Sequence, residues 1–381
     1  MKNRFILAAI ALLFYSASFA QVKDIISEIK SEFCPDKRVA VWEIVDSKKG
    51  KTVILEGKTD NAEAKAALLS ALNKKKIKYQ DNIKMLPDAE LPGQWGFCNT
   101  PYAHMRGGQG HEYEMVSQCL MGNPLKVLEK EDGWCRVQTP DNYIAWMSSR
   151  NVAIVTDNEF EAWKNSERYV VTAIYTYMYS NPECTEIESD LVMGNILTGK
   201  KYNDKLMLLT TPDGRNGYAK IEEVQELTAW ANQPLDVNKV LHTAHMLMGS
   251  VYTWGGTSTK GVDCSGLTKT SYFSNAVILQ RDASQQVRYG KKIDPQDWGM
   301  ARKGDLLYFG TKSGKVTHTA IYIADGKYIH ASGAGRVKIN SVDPQSKLYL
   351  STPFLSINRI EDNVDKPGIQ SVKNHKWYFN K

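Results

Sequence analysis

Residues 252–267 read YTWGGTSTKGVDCSGL, and this stretch decides how the C-terminal third of the chain is expected to fold. Gly255, Gly256 and Gly261 permit tight backbone turns on the way to the cysteine. Asp263 and Ser265 supply helix-capping groups, and Leu267, Thr270, Ser271 and Ser274 follow at helical spacing. Cys264 is therefore expected at a helix N-terminus, where free amides and the helix dipole favour a thiolate. The same amides can stabilise an oxyanion.

A nucleophilic sulfur also needs a base within about 3 Å that later protonates the departing amine. Two downstream histidines lie in strand-like runs, His318 in VTHTAIYI (316–323) and His330 in KYIHA (327–331), with Asp325-Gly326 as the turn between them. Strand parity tests whether they can meet. A two-residue loop pairs Ala324 with Lys327 and puts His330 on the face away from His318. A three-residue loop, Ala324-Asp325-Gly326 with Gly326 left-handed, places His330 opposite Ala320 and diagonal to His318 on one face. The chemistry requires the second register. It assigns Cys264 as nucleophile, His318 as base and His330 as the group that orients it.

The region around this core, opened by Pro234 to Val237 and running to about Ile360, reads helix, loop, helix and then several strands, an α+β pattern. Upstream, Leu91 to Thr156 and Tyr169 to Leu227 both read as short strands with turn punctuation. The two share an MGN turn (Met121-Gly122-Asn123, Met193-Gly194-Asn195) and a TPD turn followed by an aromatic, which predicts a repeated small β-barrel. Glu159 to Arg168 is a helical connector. Residues 22–88 predict a small α-β-β-α-β sandwich: helix Asp24–Phe33, strands Arg38–Val45 and Thr52–Gly57, helix Asn61–Lys74 and strand Tyr79–Leu86. The expected segments are 1–20, 21–89, 90–157, 158–230, 231–362 and a tail, 363–381, whose terminal Trp377-Tyr378-Phe379 is suited to docking.

Lys2 and Arg4 ahead of an apolar run from Phe5 to Phe14, closed by Ser18-Phe19-Ala20, read as an export signal. No later run reaches the roughly 20 apolar residues of a membrane span. Losing residues 1–20 removes Lys2 and Arg4 and no acidic residue, so the formal charge falls from +6 to +4. That mild balance argues for neither a nucleic-acid partner nor a membrane surface, and no nucleic-acid partner is expected. With Cys264 free, Cys34, Cys98, Cys119, Cys135 and Cys184 cannot all pair; a Cys119–Cys135 disulfide is open beside the reading as small buried apolar thiols.

These stretches, with RDASQQ (281–286), GDLLYF (304–309) and YIHASG (328–333), resemble the NlpC-type papain-like cysteine peptidases of bacterial cell walls. With the barrels, which resemble bacterial SH3 domains, the likeness extends from about Leu91 to Ile360. It is closest to members that cut the γ-D-glutamyl to diamino-acid bond of peptides bearing a free N-terminal L-alanine. The resemblance implies Cys264, His318 and His330 as the catalytic set, with Tyr252 and Trp254 lining the groove and Asp263 and Ser265 flanking the nucleophile. It implies that Asp282 holds the substrate's amino end beside Ala283, where the family has serine; a backbone contact survives that change and a hydroxyl contact does not. In the first barrel it maps an amine-reading carboxylate onto Glu114, within HMRGGQGHEYEMVSQ, and a wall residue onto Tyr143. The implied substrate is L-Ala-γ-D-Glu-diaminopimelate from peptidoglycan, cut outside the cytoplasm by a monomer without cofactor.

Other features read as structure. His242 and His245 lack a nearby third ligand, so no metal is expected, and Tyr175, Tyr177, Met178 and Tyr179 fit a barrel face as well as a sugar site. Two rival functions are a wall-binding protein with the peptidase fold as scaffold, and an acyltransferase or amidase on that fold.

Overall fold

The computed structural model describes residues 21–333 and 335–380; the expected export signal, residues 1–20, lies outside the described residues. The chain divides into two compact units, one ending at Leu91 and the other beginning at Pro92. No described helix is long and apolar enough to cross a membrane.

In the first unit, residues 21–33 form helix α1. Strands β1 (Val45–Lys49) and β2 (Thr52–Thr59), helix α2 (Ala62–Lys74) and strand β3 (Tyr79–Met85) follow. The sheet order is β1-β2-β3, antiparallel and then parallel. A parallel neighbour needs a crossover, and α2 supplies it. Asn61 caps α2 by accepting the Ala64 amide at 2.9 Å, and Ala64, Leu68 and Leu72 bury one helix face against Trp42 and Leu55. The strand expected over Arg38 to Val45 does not form. Asp36 takes the Arg38 amide and Asp60 the Val41 amide, which withdraws those donors from sheet pairing; only a Trp42–Thr59 bridge precedes the regular ladder that starts at Val45.

The second unit opens with β4 (Trp95–Cys98), β5 (Tyr102–Arg106), β6 (Met115–Leu120), β7 (Pro124–Glu131), β8 (Trp134–Gln138), β9 (Ile144–Ser148) and β10 (Val152–Val155). They form one antiparallel sheet in the order β10-β4-β7-β8-β9-β5-β6. Helix α3 (Asp157–Lys164), started by a Thr156/Glu159 capping box, leads into the second copy. Its strands are β11 (Arg168–Val171), β12 (Tyr175–Tyr179), β13 (Ile187–Val192), β14 (Ile196–Lys201), β15 (Leu206–Thr210), β16 (Asn216–Lys220) and β17 (Val224–Glu226). The order β13-β12-β16-β15-β14-β11-β17 repeats the first topology strand for strand.

Both sheets are open rather than the closed barrels expected. In the first, the chain leaving β6 meets β4 only at a Cys98–Met121 bridge, and the Met121 carbonyl there accepts the Ile196 amide of the second copy at 2.9 Å. The backbone that would close the seam is committed to holding the copies together. The two MGN turns interlock at this point, Asn123 Nδ2 donating to the Gly194 carbonyl at 2.9 Å and Asn195 Nδ2 to that of Pro101 at 2.7 Å.

All six cysteines are free thiols. Cys119 on β6 and Cys135 on β8 have two strands between them, so they cannot bridge; the Cys98 thiol instead reaches the Cys119 carbonyl at 3.6 Å.

The remainder comprises α4 (Leu227–Asn232), α5 (Val237–Met246), β18 (Thr257–Ser258), β19 (Gly261–Val262), α6 (Cys264–Phe273), β20 (Val277–Leu279), α7 (Ala283–Gln286), β21 (Lys291–Ile293) and β22 (Leu306–Gly310). After these come β23 (Val316–Ala324), β24 (Lys327–Ala331), β25 (Val337–Ser341), β26 (Phe354–Arg359) and β27 (Ile369–Ser371). An antiparallel sheet in the order β21-β26-β22-β23-β24-β25 carries α6 against β23. Leu267 and Tyr272 of α6, Val240 and Ala244 of α5, and Ile321 and Ile329 of the sheet share one core. This is the α+β arrangement expected of a papain-like peptidase. The tail docks, as its aromatic end suggested: the Tyr378 hydroxyl donates to Asn123 Oδ1 at 2.9 Å, and Arg168 donates to the Tyr378 carbonyl at 2.7 Å.

Candidate active site

Helix α6 begins at Cys264 because Asp263 caps it, Oδ1 accepting the Gly266 amide at 2.7 Å. The same carboxylate accepts the Gly255 amide at 3.0 Å, which ties the glycine turn to the helix head. Behind it sits Arg281, 1% exposed, donating to Asp263 at 2.6 and 3.3 Å and to Ser265 Oγ at 3.0 Å. A fully buried guanidinium needs such a partner, and the pair fixes where Cys264 starts its helix. Asp263 and Ser265 thus spend their polar atoms on the interior rather than on the groove. Asp282 forms a capping box on α7 and lies 4.0 Å from Arg281, with Ala283 buried behind it.

The hairpin carrying the histidines solves the parity problem differently from expectation. Asp325 (φ 51°) and Gly326 (φ 73°) form a two-residue turn of the type whose twist suits a hairpin, and Ala324 pairs with Lys327. Ile323 is then extruded as a bulge, so that Tyr322 faces Tyr328 and Ile321 faces Ile329. The bulge adds the single residue of offset that a three-residue loop would have added. Continued by two residues, this register sets His318 and His330 on one face. His318 Nε2 lies 2.7 Å from His330 Nδ1, and His330 Nε2 lies 3.0 Å from Asn340 Oδ1 on β25.

The Cys264 thiol, 8% exposed, sits close to the backbone amide of Thr319, the residue after His318, and to the Tyr252 hydroxyl. Burial pushes this thiol up to about 11, reinforced by the Asp263 carboxylate and only partly offset by the Thr319 and Ser265 amides. Burial likewise lowers His318 to about 3, helped by His330, whose own imidazole is held down by burial. Desolvation thus works against the charge that the helix-head amides favour on the sulfur, and against an imidazolium at His318. Burial also raises the Tyr252 phenol, which keeps its proton and remains a donor beside the sulfur.

The first sheet walls this region. Gln118 of β6 and Thr257 of β18 exchange three hydrogen bonds of 2.9–3.2 Å, both residues buried. A Cβ on Gly255 would lie 2.3 Å from the Met115 carbonyl, so only glycine permits this approach. Glu114, adjoining Met115, is exposed, as is Trp254 at 64%. Tyr143 is buried and lies within electrostatic reach of Arg281.

The model of the NlpC/P60 family matches residues 249–356, and that of the bacterial dipeptidyl-peptidase Sh3 domain matches residues 105–152. A γ-D-glutamyl-L-lysine dipeptidyl-peptidase of Bacillus cereus is 31% identical over 244 residues, 58% of this chain and 69% of that protein. Dipeptidyl-peptidase 6 of Lysinibacillus sphaericus is 30% identical over 260 residues, 65% of this chain and 92% of that protein. The chain belongs to the NlpC/P60 family. An NlpC/P60 family protein from Bacillus cereus, of known structure, superposes with a TM-score of 0.60 at 20% identity, over 70% of this chain and 99% of that one, which supports the fold.

The chain is thus an NlpC/P60 cysteine peptidase of the cell-wall type with a bacterial SH3 domain. Within this NlpC/P60 site, three side chains escaped the reading of residue patterns. Arg281 stood in the quoted RDASQQ, but its partner Asp263 is 18 residues away. Asn340 lies on a third strand with no motif around it. Gln118 reads as an ordinary barrel residue. Only the pairing of distant elements reveals them.

Proposed function

We propose that this peptidase hydrolyses the γ-D-glutamyl to diaminopimelate bond of peptidoglycan-derived peptides with a free N-terminal L-alanine. The observation that carries the reading is the Asn340–His330–His318 chain of polar contacts beside a buried cysteine at a helix head. The dipeptidyl-peptidase names of two relatives support the bond class.

In this reading Cys264 attacks the γ-carbonyl while His318 removes the thiol proton. Because burial favours the neutral form of both groups, attack and proton transfer are coupled, and substrate carbonyl polarisation drives them. Amides at the head of α6 and the Tyr252 hydroxyl take the developing oxyanion charge. Protonated His318 then gives its proton to the departing diaminopimelate amine, and a water, deprotonated by His318, releases the acyl group from sulfur. Asp263, Ser265 and Arg281 hold the helix head from behind. Glu114 at the rim receives the alanine ammonium, and Trp254, Tyr143, Asp282 and the Ala283 backbone complete the walls. An end-reading groove suits small released peptides, hence turnover or recycling, by a monomer acting in the periplasm or outside the cell.

The test is mass spectrometry of L-Ala-γ-D-Glu-diaminopimelate incubated with the protein. Free L-Ala-D-Glu is expected, and Cys264→Ala loses on the order of 10⁴-fold or more in rate. The N-acetylated substrate and the Glu114→Ala variant each lose roughly 10- to 100-fold, as for a severed charge-assisted hydrogen bond. Transfer products, or no cleavage, would overturn the proposal.

A further inference from the structure

The histidine pair does not end the polar chain, and its far end has a direction. Asn340 Nδ2 donates to the Leu348 carbonyl at 2.9 Å. A carbonyl only accepts, so the amide NH₂ must face Leu348 and Oδ1 must face His330. Oδ1 in turn only accepts, so the proton of neutral His330 resides on Nε2, 3.0 Å away. His330 Nδ1 is then a bare acceptor, and His318 Nε2, 2.7 Å from it, must carry the proton of neutral His318. This leaves His318 Nδ1 as the bare basic nitrogen. The order of donors and acceptors is fixed from one backbone carbonyl through three side chains.

We infer that Asn340 is a positioning residue that, anchored by the Leu348 carbonyl, sets the tautomer of His330 and through it keeps His318 Nδ1 unprotonated and available to the Cys264 thiol. The inference rests on the proposed roles of Cys264 and His318. The groups around the pair are Lys338 of β25, the strand partner of His330, which lowers it, the Tyr328 ring 5.2 Å from His330, and Asp263, which raises His318 from the head of α6.

Two substitutions separate positioning from packing. In Asn340→Leu the acceptor vanishes and His330 can carry its proton on either nitrogen; kcat falls at least about tenfold with KM changed less than about twofold, the scale of losing a hydrogen-bond partner that orients a functional imidazole. In Asn340→Asp the acceptor survives but a charge is added. The carboxylate favours protonated His330, which then donates from Nδ1 to His318 Nε2 and drives the His318 proton onto Nδ1, silencing the base. Near pH 8.5 Asn340→Asp is expected to keep kcat within about threefold of the wild type, and the acid limb of its profile moves to higher pH by about one unit.

Nitrogen-15 NMR of histidine-labelled protein with Cys264→Ala at pH 7.5 reads the tautomers without reference to activity. Both His318 and His330 are expected as the Nε2–H form, with that assignment lost in Asn340→Leu. A Nδ1–H form of either ring with Asn340 intact, unchanged tautomers in Asn340→Leu, or an acid limb unmoved in Asn340→Asp overturns the inference. Should the protein cleave no tripeptide at all, the proposed function fails while the NMR result still decides this one.

Discussion

The two SH3-like sheets share a topology, an MGN turn and a TPD turn, and both hold the same short loop ahead of Cys264, yet they hold it differently. The first reaches residues 255–257 with buried groups, Gln118 on Thr257 and the Met115 carbonyl over Gly255. The second reaches residues 259–260 at the surface: Thr259 Oγ1 donates to the Ile174 carbonyl at 2.6 Å, and Lys260 meets Asp190 at 3.0 Å and the Tyr175 ring at 3.7 Å. Equal topology therefore does not mean equal leverage. A buried donor left without its acceptor costs about 1–3 kcal/mol, whereas an exposed ion pair contributes about 0.2–1 kcal/mol. The first copy is the one able to set the position of the loop.

The asymmetry should be largest at the interlocked turns. Gly122 (φ 70°) would place a Cβ 1.6 Å from the Ile196 carbonyl, whereas at Gly194 (φ 89°) the nearest atoms are the Leu120 methyl at 2.9 Å and the Phe273 ring at 3.0 Å. Both substitutions pay the left-handed penalty, but a backbone carbonyl cannot swing aside as side chains can. Gly122→Ala is expected to destabilise by about 2–4 kcal/mol, and Gly194→Ala by roughly 1–2 kcal/mol. Thermal melts of the two variants check this, and equal shifts would mean that the turns are energetically equivalent.

How much of this was legible beforehand follows from the range of the interactions. The helix at Cys264 and the turn at Asp325-Gly326 are local, and their capping and turn residues announce them. The same-face requirement on His318 and His330 was also readable, because parity is a property of strands. The device that meets it was not: a bulge at Ile323 leaves no residue signature, since any side chain can be extruded there. The open sheets escaped prediction because their seam is occupied by the other copy, a contact between Met121 and Ile196 that no local pattern encodes. Arg281 and Asn340 escaped for the same reason, each being defined by a partner on another element. The push that burial exerts on the Cys264 thiol was not readable either, since the helix dipole is visible in a capping pattern and the depth of burial is not.

A smaller effect is expected from Gln118→Leu, which keeps the volume but leaves the buried Thr257 amide without its 2.9 Å acceptor. The cost is about 1–3 kcal/mol. Because Thr257 lies in the loop leading to Cys264, kcat on the tripeptide should fall as well, by roughly three- to tenfold if the loop relaxes by a few tenths of an ångström. A variant with lowered stability and intact kcat would reduce the first sheet to a passive support.

Lys260→Ala is the smallest expected effect and tests the other half of the contrast. Lys260 and Asp190 are 30% and 32% exposed, so their attraction acts across solvent and is screened by salt. With the contact to Tyr175 included, the loss should stay near 1 kcal/mol at low ionic strength. Raising salt to about 0.5 M should bring the melting temperatures of wild type and Lys260→Ala together, because the Debye length falls to roughly 4 Å. The gap between wild type and Gln118→Leu should persist, since neither partner there is charged or open to ions. A salt-insensitive Lys260→Ala, or a salt-sensitive Gln118→Leu, would place the burial of the two contacts the other way round and remove the reason for assigning the first sheet the controlling role.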